Sequence, residues 1–250
     1  MVLWTSVIFS LISAVLSIIV PVVAAIWFCR RQQAPFSTVL VGALTFFVMQ
    51  VLLRIPLLLV VNHFFSIELE TTKGLLLYSA FLAITAALFE EFGRLGAFKI
   101  FRLQGDWKNA VAMGIGHGGI ESILLVGINV AANTILLALL AMDVPIGLPP
   151  EVVQPLLDTA PYMFLLAGIE RILTLPIHIA LSILVVAGVA RKNYGYVALA
   201  IAAHFLLNFP LGWMGQNWGV LSTELYILLC SVVAWLFIFR SRALFKESDS

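Results

Sequence analysis

Long apolar segments alternate with short polar ones along almost the whole chain. Each apolar segment has about 20 residues or more, enough to cross roughly 30 Å of hydrocarbon as a helix. The seven segments cover residues 2–28, 37–61, 75–100, 109–141, 162–190, 196–214 and 220–240. The pattern predicts an all-α integral membrane protein with seven transmembrane helices in a single domain, 1–250. The polar residues 244–250 are predicted to form a disordered tail.

The composition supports a membrane protein. Of the 250 residues, 62% are hydrophobic and 11% are charged, and the mean hydropathy is +1.08. Soluble globular domains do not have such a composition, so the expected surroundings are the lipid bilayer. The first apolar segment lacks a basic leader and is too long for a signal peptide, which predicts a retained first helix. A net charge of +1 gives no support for a nucleic-acid partner, and none is expected.

Basic residues are concentrated in every second connection between the predicted helices. The first, third and fifth connections and the tail hold ten of the fourteen Lys and Arg residues: Arg30, Arg31, Lys99, Arg102, Lys108, Arg191, Lys192, Arg240, Arg242 and Lys246. The intervening connections are mainly acidic and hold a single basic residue, Lys73. The positive-inside rule therefore predicts an outside N-terminus and a cytoplasmic C-terminus.

Four of the apolar segments carry ionisable or amide side chains well inside them. These are Glu90, Glu91 and Arg94 in the third segment, His117 and Glu121 in the fourth, Glu170, Arg171 and His178 in the fifth, and His204 and Asn208 in the sixth. A charged side chain at the centre of a bilayer costs roughly 2.5–3.5 kcal/mol on insertion scales. Membrane proteins keep such groups where they pair, bind an ion or take part in chemistry, so the pattern predicts a buried polar site.

The predicted topology places these polar groups at a similar depth. With a rise of 1.5 Å per residue, Glu90 and Glu91 lie ~15 Å from the cytoplasmic helix ends, His117 and His204 ~12 Å, and His178 ~18 Å. Unrelated polar residues would scatter in depth. The common layer predicts one site, shared by four helices, in the cytoplasmic half of the membrane.

Helical spacing puts several of these groups on common helix faces. Arg94 follows Glu90 by four residues and Glu91 by three, so it can neutralise one carboxylate and fix its rotamer. It cannot neutralise both, which favours a proton-transferring role over a purely structural ion pair. His204 and Asn208 are also four residues apart and share a face.

Structural interpretations stay open for three other polar groups. Glu170 and Arg171 form either an ion pair that holds helices together or a part of the site. His63 lies off the common layer and is expected to be a packing residue. Arg54 lies inside the second apolar segment without an obvious acidic partner, and it either extends towards the interface or contacts Glu121.

The order of these motifs resembles that of the CAAX-protease and bacteriocin-processing superfamily. The similarity rests on Glu90-Glu91-x-x-Arg94, on a Gly-rich helical turn that ends in His117, and on His204-x-x-x-Asn208. The Gly-His-Gly-Gly-x-Glu run at 116–121 and the additional His178 most resemble the bacterial YhfC-type intramembrane proteases. The resemblance covers residues 75–215, which would be a four-helix catalytic core in a bacterial plasma membrane. Prenyl-protein CAAX proteases typically place the arginine one residue later, which argues against a prenylated substrate.

The resemblance implies an intramembrane endopeptidase that cleaves a membrane-embedded or membrane-proximal protein or peptide. The implied catalytic residues are Glu90, Glu91, Arg94, His117, His204 and Asn208, with Glu121, Glu170 and Arg171 supporting them from further out. Glu90 or Glu91 would be the general base, with His117 holding or polarising the water. His204 and Asn208 would donate to the oxyanion.

The same residues leave the cofactor open. His117, His178 and His204 could be three ligands of a catalytic Zn²⁺ with water in the fourth position. They also fit a metal-free mechanism in which a glutamate activates the water. The expected cofactor is therefore either zinc or none.

Two functions of other classes compete with hydrolysis. A proton- or divalent-cation-coupled transporter or channel would use the Glu/His layer as an ion path, and it predicts ion flux without peptide cleavage. The sequence shows neither an internal repeat nor a discontinuous helix pair, which transporters often have. A catalytically silent scaffold of the same fold would keep its partner binding after loss of both glutamates.

Overall fold

The structure is a computed structural model that describes residues 2–65 and 69–245, and no β-strand occurs among them. The described residues form ten α-helices: α1 Val2–Gln32, α2 Phe36–Phe46, α3 Ile55–Phe64, α4 Thr72–Ile100, α5 Trp107–Glu121, α6 Ile128–Ala141, α7 Pro150–Asp158, α8 Pro161–Ala190, α9 Gly195–Trp218 and α10 Val220–Arg240. A π-helical segment, Phe47–Arg54, joins α2 to α3, and a second, Ser122–Gly127, joins α5 to α6. A 3₁₀ turn, Ser241–Phe245, follows α10.

In the part of the chain that the structure describes, seven helical spans are long and apolar enough to cross a membrane. In chain order they are Leu3–Gln32, Phe36–Phe64, Thr72–Ile100, Trp107–Ala141, Pro161–Ala190, Gly195–Trp218 and Val220–Phe245, called the first to the seventh span below. The predicted all-α fold with seven spans is thus confirmed. The fourth span is the longest at 35 residues, in line with the length of its apolar segment.

One helix outside the seven spans was not predicted. The sequence indicated only a Pro/Gly-rich break between the fourth and fifth spans, but α7 begins there at Pro150. Proline suits the first helical position because its missing N–H would have no intrahelical partner. Of the tail predicted at 244–250, Leu244 and Phe245 belong to the 3₁₀ turn, and residues 246–250 lie outside the described residues.

The fifth span is the central helix of the bundle. In its most apolar stretch of 18 residues, 67% of the residues are buried, compared with 17–33% in the corresponding stretches of the other six spans. It packs against the first, fourth, sixth and seventh spans. A polar side chain on this helix therefore faces protein on most sides, which is the condition under which ionisable groups are kept at membrane depth.

Small residues bring the first span close to the fourth and fifth. Ser10, Ser13 and Ser17 follow one face of the first span and are fully buried. The Ser10 hydroxyl donates to the Val130 carbonyl at 3.2 Å, and the Ser122 hydroxyl donates to the Ser17 carbonyl at 2.8 Å. Small side chains of this kind let helix backbones approach closely in a membrane.

Glycines in the fourth span set its distance from two neighbours. A Cβ atom on Gly116 would overlap the Val39 carbonyl of the second span. On Gly118 it would lie 2.9 Å from the Cβ of His178 in the fifth span, too close for an ordinary contact. Because His117 lies between these glycines, the close packing fixes its place between the second and fifth spans.

Candidate active and metal site

The third span supplies a buried ion-pair cluster at the centre of the site. Arg94 donates to Glu91 Oε1 through one guanidinium nitrogen and to Glu90 Oε2 through the other, the latter at 3.3 Å. Glu91 and Arg94 have no exposed surface, and Glu90 has 3%. The spacings of three and four residues place both carboxylates on the face of α4 that carries the arginine, as the sequence predicted.

Side chains from the second and fourth spans complete the surroundings of Glu90. His117 Nε2 lies 2.9 Å from Glu90 Oε2, and the Gln50 amide donates to Glu90 Oε1. The His117 ring is fully buried and packs edge-on against Phe46, with ring centroids 5.3 Å apart. Glu90 therefore joins three spans.

Glu91 has a different partner in the sixth span. His204 Nδ1 lies 2.7 Å from Glu91 Oε1. The opposite ring nitrogen, Nε2, lies 3.9 Å from Glu90 Oε1. A carboxylate on one nitrogen of an imidazole fixes the ring orientation and its tautomer, so Glu91 directs His204 Nε2 towards Glu90.

The fifth span adds His178 and a second set of charges. His178 Nδ1 lies 3.0 Å from Arg94 and 3.8 Å from Glu90 Oε2. His178 Nε2 lies 2.9 Å from Glu121 Oε2. Arg171 donates to Glu121 Oε1 at 3.2 Å and also to Glu170. His178 therefore connects the ion pair of Arg171 with Glu121 to the ion pairs of Arg94 with Glu90 and Glu91.

Four of these side chains form a group that is suited to bind a metal ion. Glu90, His117, Glu121 and His178 each offer one donor atom, and the four atoms lie within 4.8 Å of one another. Two imidazoles and two carboxylates are a donor set that zinc accepts. His117 Nδ1 is buried without a hydrogen-bond partner among the described residues, which is costly for a polar atom that has no further ligand. The residues thus fit a bound divalent cation.

His204 does not belong to that group. It forms a second, smaller group with Glu90 and Glu91, whose donor atoms also lie within 4.8 Å of one another. Of the three histidines predicted as zinc ligands, the structure therefore puts His117 and His178 together and places His204 with the carboxylate pair. His204 lies apart because its Nδ1 contacts Glu91, whereas Glu121, expected only as a supporting residue, takes the fourth place beside His178.

Two cavities meet at the polar cluster, which consists of Glu90, Glu91, Arg94, His117, Glu121, Arg171, His178 and His204. The smaller, about 140 Å³, is enclosed by residues of the third to the seventh spans and reaches Arg171 and Tyr226. The larger, about 470 Å³, lies between the second, third, fourth and sixth spans and reaches Gln50 and Arg54. Both are lined by Glu90, Glu121, Asn208 and Leu211. Glu91 lies behind this surface and lines neither cavity.

The remaining predicted residues lie at the edges of the cluster. Asn208 makes no hydrogen bond to another described residue, but it lines both cavities one helical turn beyond His204. Glu170 touches the cluster only through Arg171, and 31% of its side chain is exposed. The sequence left open whether Glu170 and Arg171 are a structural ion pair or a part of the site. Arg171 contacts the site because it holds Glu121, whereas Glu170 lies outside the metal-binding group.

Two residues of the second span were missed or left undecided by the sequence. Gln50 is a buried amide that bridges Glu90 and Arg54, and Arg54 contacts Gln50 rather than Glu121. Both lie on the π-helical segment Phe47–Arg54. Such segments are rare, and they occur frequently at functional sites. The available signal was a single amide within an otherwise apolar run.

Comparisons with known proteins agree with the motif-based resemblance at the family level. A family model described as "YhfC intramembrane metalloprotease" matches residues 16–229, which include every residue of the cluster. The chain is also 29% identical over 254 residues to the "Uncharacterized membrane protein YhfC" of Bacillus subtilis (strain 168), covering 96% of this chain and 98% of that protein. No solved structure matches the chain. The chain belongs to the YhfC intramembrane metalloprotease family.

Proposed function

We propose that this protein is an intramembrane endopeptidase of the plasma membrane that hydrolyses a peptide bond of a membrane-embedded or membrane-proximal protein. The observation that carries the proposal is the meeting of two groups at one pair of cavities. One is the four-residue donor group Glu90, His117, Glu121 and His178. The other is the Glu91–His204 pair. The order of the motifs also supports placing the family within the CAAX-protease and bacteriocin-processing superfamily.

The metal-dependent version is favoured by the donor set and by the family description. Glu90, His117, Glu121 and His178 would hold the ion. When bound, a zinc-type cation supplies Lewis-acid polarisation and promotes ionisation of water. Arg94 and Arg171 hold the Glu90 and Glu121 carboxylates in place, so that these side chains are oriented before any ligand arrives. Outer partners of this kind tune both affinity and geometry.

His204 is proposed as the group that moves the proton. Its Nδ1 is held by Glu91, and its Nε2 faces Glu90 at the cavity surface. A water in the cavity would lose a proton to Nε2 as its oxygen bonds to the peptide carbon. The same proton would then pass to the leaving nitrogen as the C–N bond breaks, which leaves a carboxylate and an amine. Glu91 would orient the imidazole without touching the substrate.

Asn208 and the two cavities are proposed to hold the substrate. The Asn208 side chain lies one turn from His204 and faces both cavities, so its amide is placed to donate to an oxyanion formed between them. An extended segment could occupy both cavities with its scissile bond at their shared wall. This arrangement would accept peptide on both sides of the bond, as an endopeptidase requires.

The test is cleavage by purified protein reconstituted in lipid vesicles, with apolar peptides of about 20 residues as substrates. Cleavage that stops on chelation and returns with added Zn²⁺ would support the metal-dependent version. Cleavage that survives exhaustive removal of metal would instead support a metal-free glutamate mechanism. Uptake of protons or divalent cations by the same vesicles without any peptide product would contradict hydrolysis and favour transport.

A further inference from the structure

Arg54 is a cation in the larger cavity that has no carboxylate partner among the described residues. It lies in the middle of the second span, ten residues before the end of α3, and it lines the cavity with Glu90 and Asn208. Its three hydrogen bonds go to neutral acceptors: Thr85 Oγ1 at 3.2 Å, Gln50 Oε1 at 3.0 Å and the Leu82 carbonyl at 2.7 Å. No described carboxylate oxygen lies within ion-pairing distance of its guanidinium.

The other two arginines of the site differ from Arg54 in this respect. Arg94 binds two carboxylates, and Arg171 also binds two. A guanidinium has five N–H donors, and the hydrogen bonds of Arg54 account for three of them. Two donors are therefore left for a ligand in the cavity. An unpaired charge at membrane depth is expensive and marks a functional position.

The neighbours of Arg54 hold its guanidinium against the cavity wall. Gln50 and Thr85 bind it from two spans, and the cavity lining from the third span includes the small residues Ser79, Ala83 and Ala86. These side chains leave space next to a fixed fork of donors. A planar carboxylate matches that fork, because guanidinium and carboxylate can form two parallel hydrogen bonds.

The position of Arg54 also limits how far its ligand would lie from the reacting bond. Gln50 joins Arg54 to Glu90 through one hydrogen bond on each side. Two hydrogen bonds and the amide between them span at most ~8 Å. An extended peptide advances ~3.3 Å per residue, so the ligand would belong to a residue about two positions from the scissile bond.

We propose that Arg54 forms a carboxylate-binding subsite, which selects substrates carrying an acidic group about two residues from the cleaved bond. The acidic group is either an Asp or Glu side chain or the free C-terminal carboxylate of the substrate. The proposal rests on the proposed peptidase function and defines the substrate class of that site. Arg54 is thus a specificity residue, distinct from the residues that hold the metal or move the proton.

The test uses apolar peptides of about 20 residues in lipid vesicles, each with one Asp, Asn or Lys at successive positions around a mapped cleavage site. The wild-type protein is expected to cleave the best-placed Asp peptide roughly tenfold or more faster than its Asn counterpart, which is the range of a charged hydrogen bond. Arg54→Gln should abolish this preference, while Arg54→Glu should transfer it to the Lys peptide. Peptides with free and amidated C-termini at the same distance separate the two sources of the carboxylate.

His63→Ala is the control in the same span, because His63 is exposed and lines neither cavity. It should leave both the cleavage rate and the preference for the Asp peptide unchanged. Binding to the Glu91→Gln variant gives a second measurement that does not depend on turnover: the Asp peptide should bind more tightly, and Arg54→Gln should remove the difference. If wild type cleaves both peptides equally, or if Arg54→Gln keeps the preference, the subsite is refuted while the peptidase function stands. If wild type cleaves no peptide in the set, the proposed function itself fails.

Discussion

Glu90 and Glu91 are adjacent in sequence, yet their surroundings give them different tasks. Glu90 faces both cavities and contacts His117, whereas Glu91 is fully buried and contacts His204. The sequence left open which of the two is the base. The geometry favours Glu90 as a ligand at the cavity and Glu91 as the residue that orients His204.

We expect His204→Ala to lower the rate of peptide cleavage by at least ~100-fold, because it removes the proposed acid and base. Glu91→Gln should lower it similarly by releasing the ring. Imidazole added to His204→Ala should restore part of the rate, which a purely structural role would not predict. His63→Ala is the control, since His63 is exposed at the far end of the second span. Unchanged turnover in His204→Ala would contradict the proposal.

The donor group Glu90, His117, Glu121 and His178 predicts that different substitutions lose zinc than a site with three histidine ligands would. His117→Ala and His178→Ala should each weaken Zn²⁺ affinity by more than the roughly 10–100-fold that loss of an outer partner costs. His204→Ala should keep its zinc while losing activity, because His204 lies outside the donor group. Elemental analysis of the purified variants measures this directly. Loss of zinc from His204→Ala would contradict this donor group and would support His117, His178 and His204 as the zinc ligands.

Pairs within one helix were predictable from the sequence, and pairs between helices were not. The spacing of Glu90, Glu91 and Arg94 fixes their common face, and the structure has both ion pairs. Depth alone placed His117, His178 and His204 in one layer. It carried no information on helix rotation, so the pairing of His178 with Glu121 and of His204 with Glu91 could not be derived.

At the scale of the helix, hydropathy locates a span well but does not reveal its internal geometry. The predicted third segment, 75–100, differs from the observed span Thr72–Ile100 by only three residues. The π-helical segments Phe47–Arg54 and Ser122–Gly127 were missed, because α- and π-helical residues have the same hydropathy. They border the site directly, as Gln50 lies within one and Glu121 immediately precedes the other.

The glycines of the fourth span give a prediction about helix packing. Gly118→Ala places a methyl group 2.9 Å from His178 Cβ, so it should lower the free energy of unfolding by ~1–3 kcal/mol through overpacking. The protein that still folds should bind zinc more weakly, because His178 is displaced. Unfolding in mixed detergent micelles and metal analysis measure the two effects.

Gly96→Ala in the third span is the matched control for Gly118→Ala. A Cβ atom there meets nothing within 4 Å, and alanine is the better helix former by ~1 kcal/mol. We therefore expect unchanged or slightly higher stability and full zinc binding. Equal destabilisation by both substitutions would show that the close approach at Gly118 does not hold His178 in place.

At the scale of the whole molecule, the predicted cytoplasmic connections are in contact with one another. Lys99 donates to the Tyr194 hydroxyl at 3.0 Å, which joins the third connection to the fifth. Arg191 donates to the Leu244 carbonyl at 2.7 Å, and Arg242 lies 4.3 Å from the Trp107 ring centroid. One end of the bundle thus gathers basic residues from connections that are remote in sequence. The site lies nearer this end, since Glu90 is ten residues from the end of α4.

Because the basic residues gather at one end of the bundle, labelling one position at each end tests the orientation of the protein in the membrane. Cys29 and Cys230 are replaced by Ala, and single cysteines are introduced by Gln104→Cys at the basic end and by Leu148→Cys at the opposite end, both at exposed and uncharged positions. A membrane-impermeant maleimide should label the Leu148→Cys protein in intact cells, and the Gln104→Cys protein only after permeabilisation, because basic connections stay on the cytoplasmic side. The opposite labelling pattern would contradict the predicted topology and would place the Glu/His site in the outer half of the bilayer.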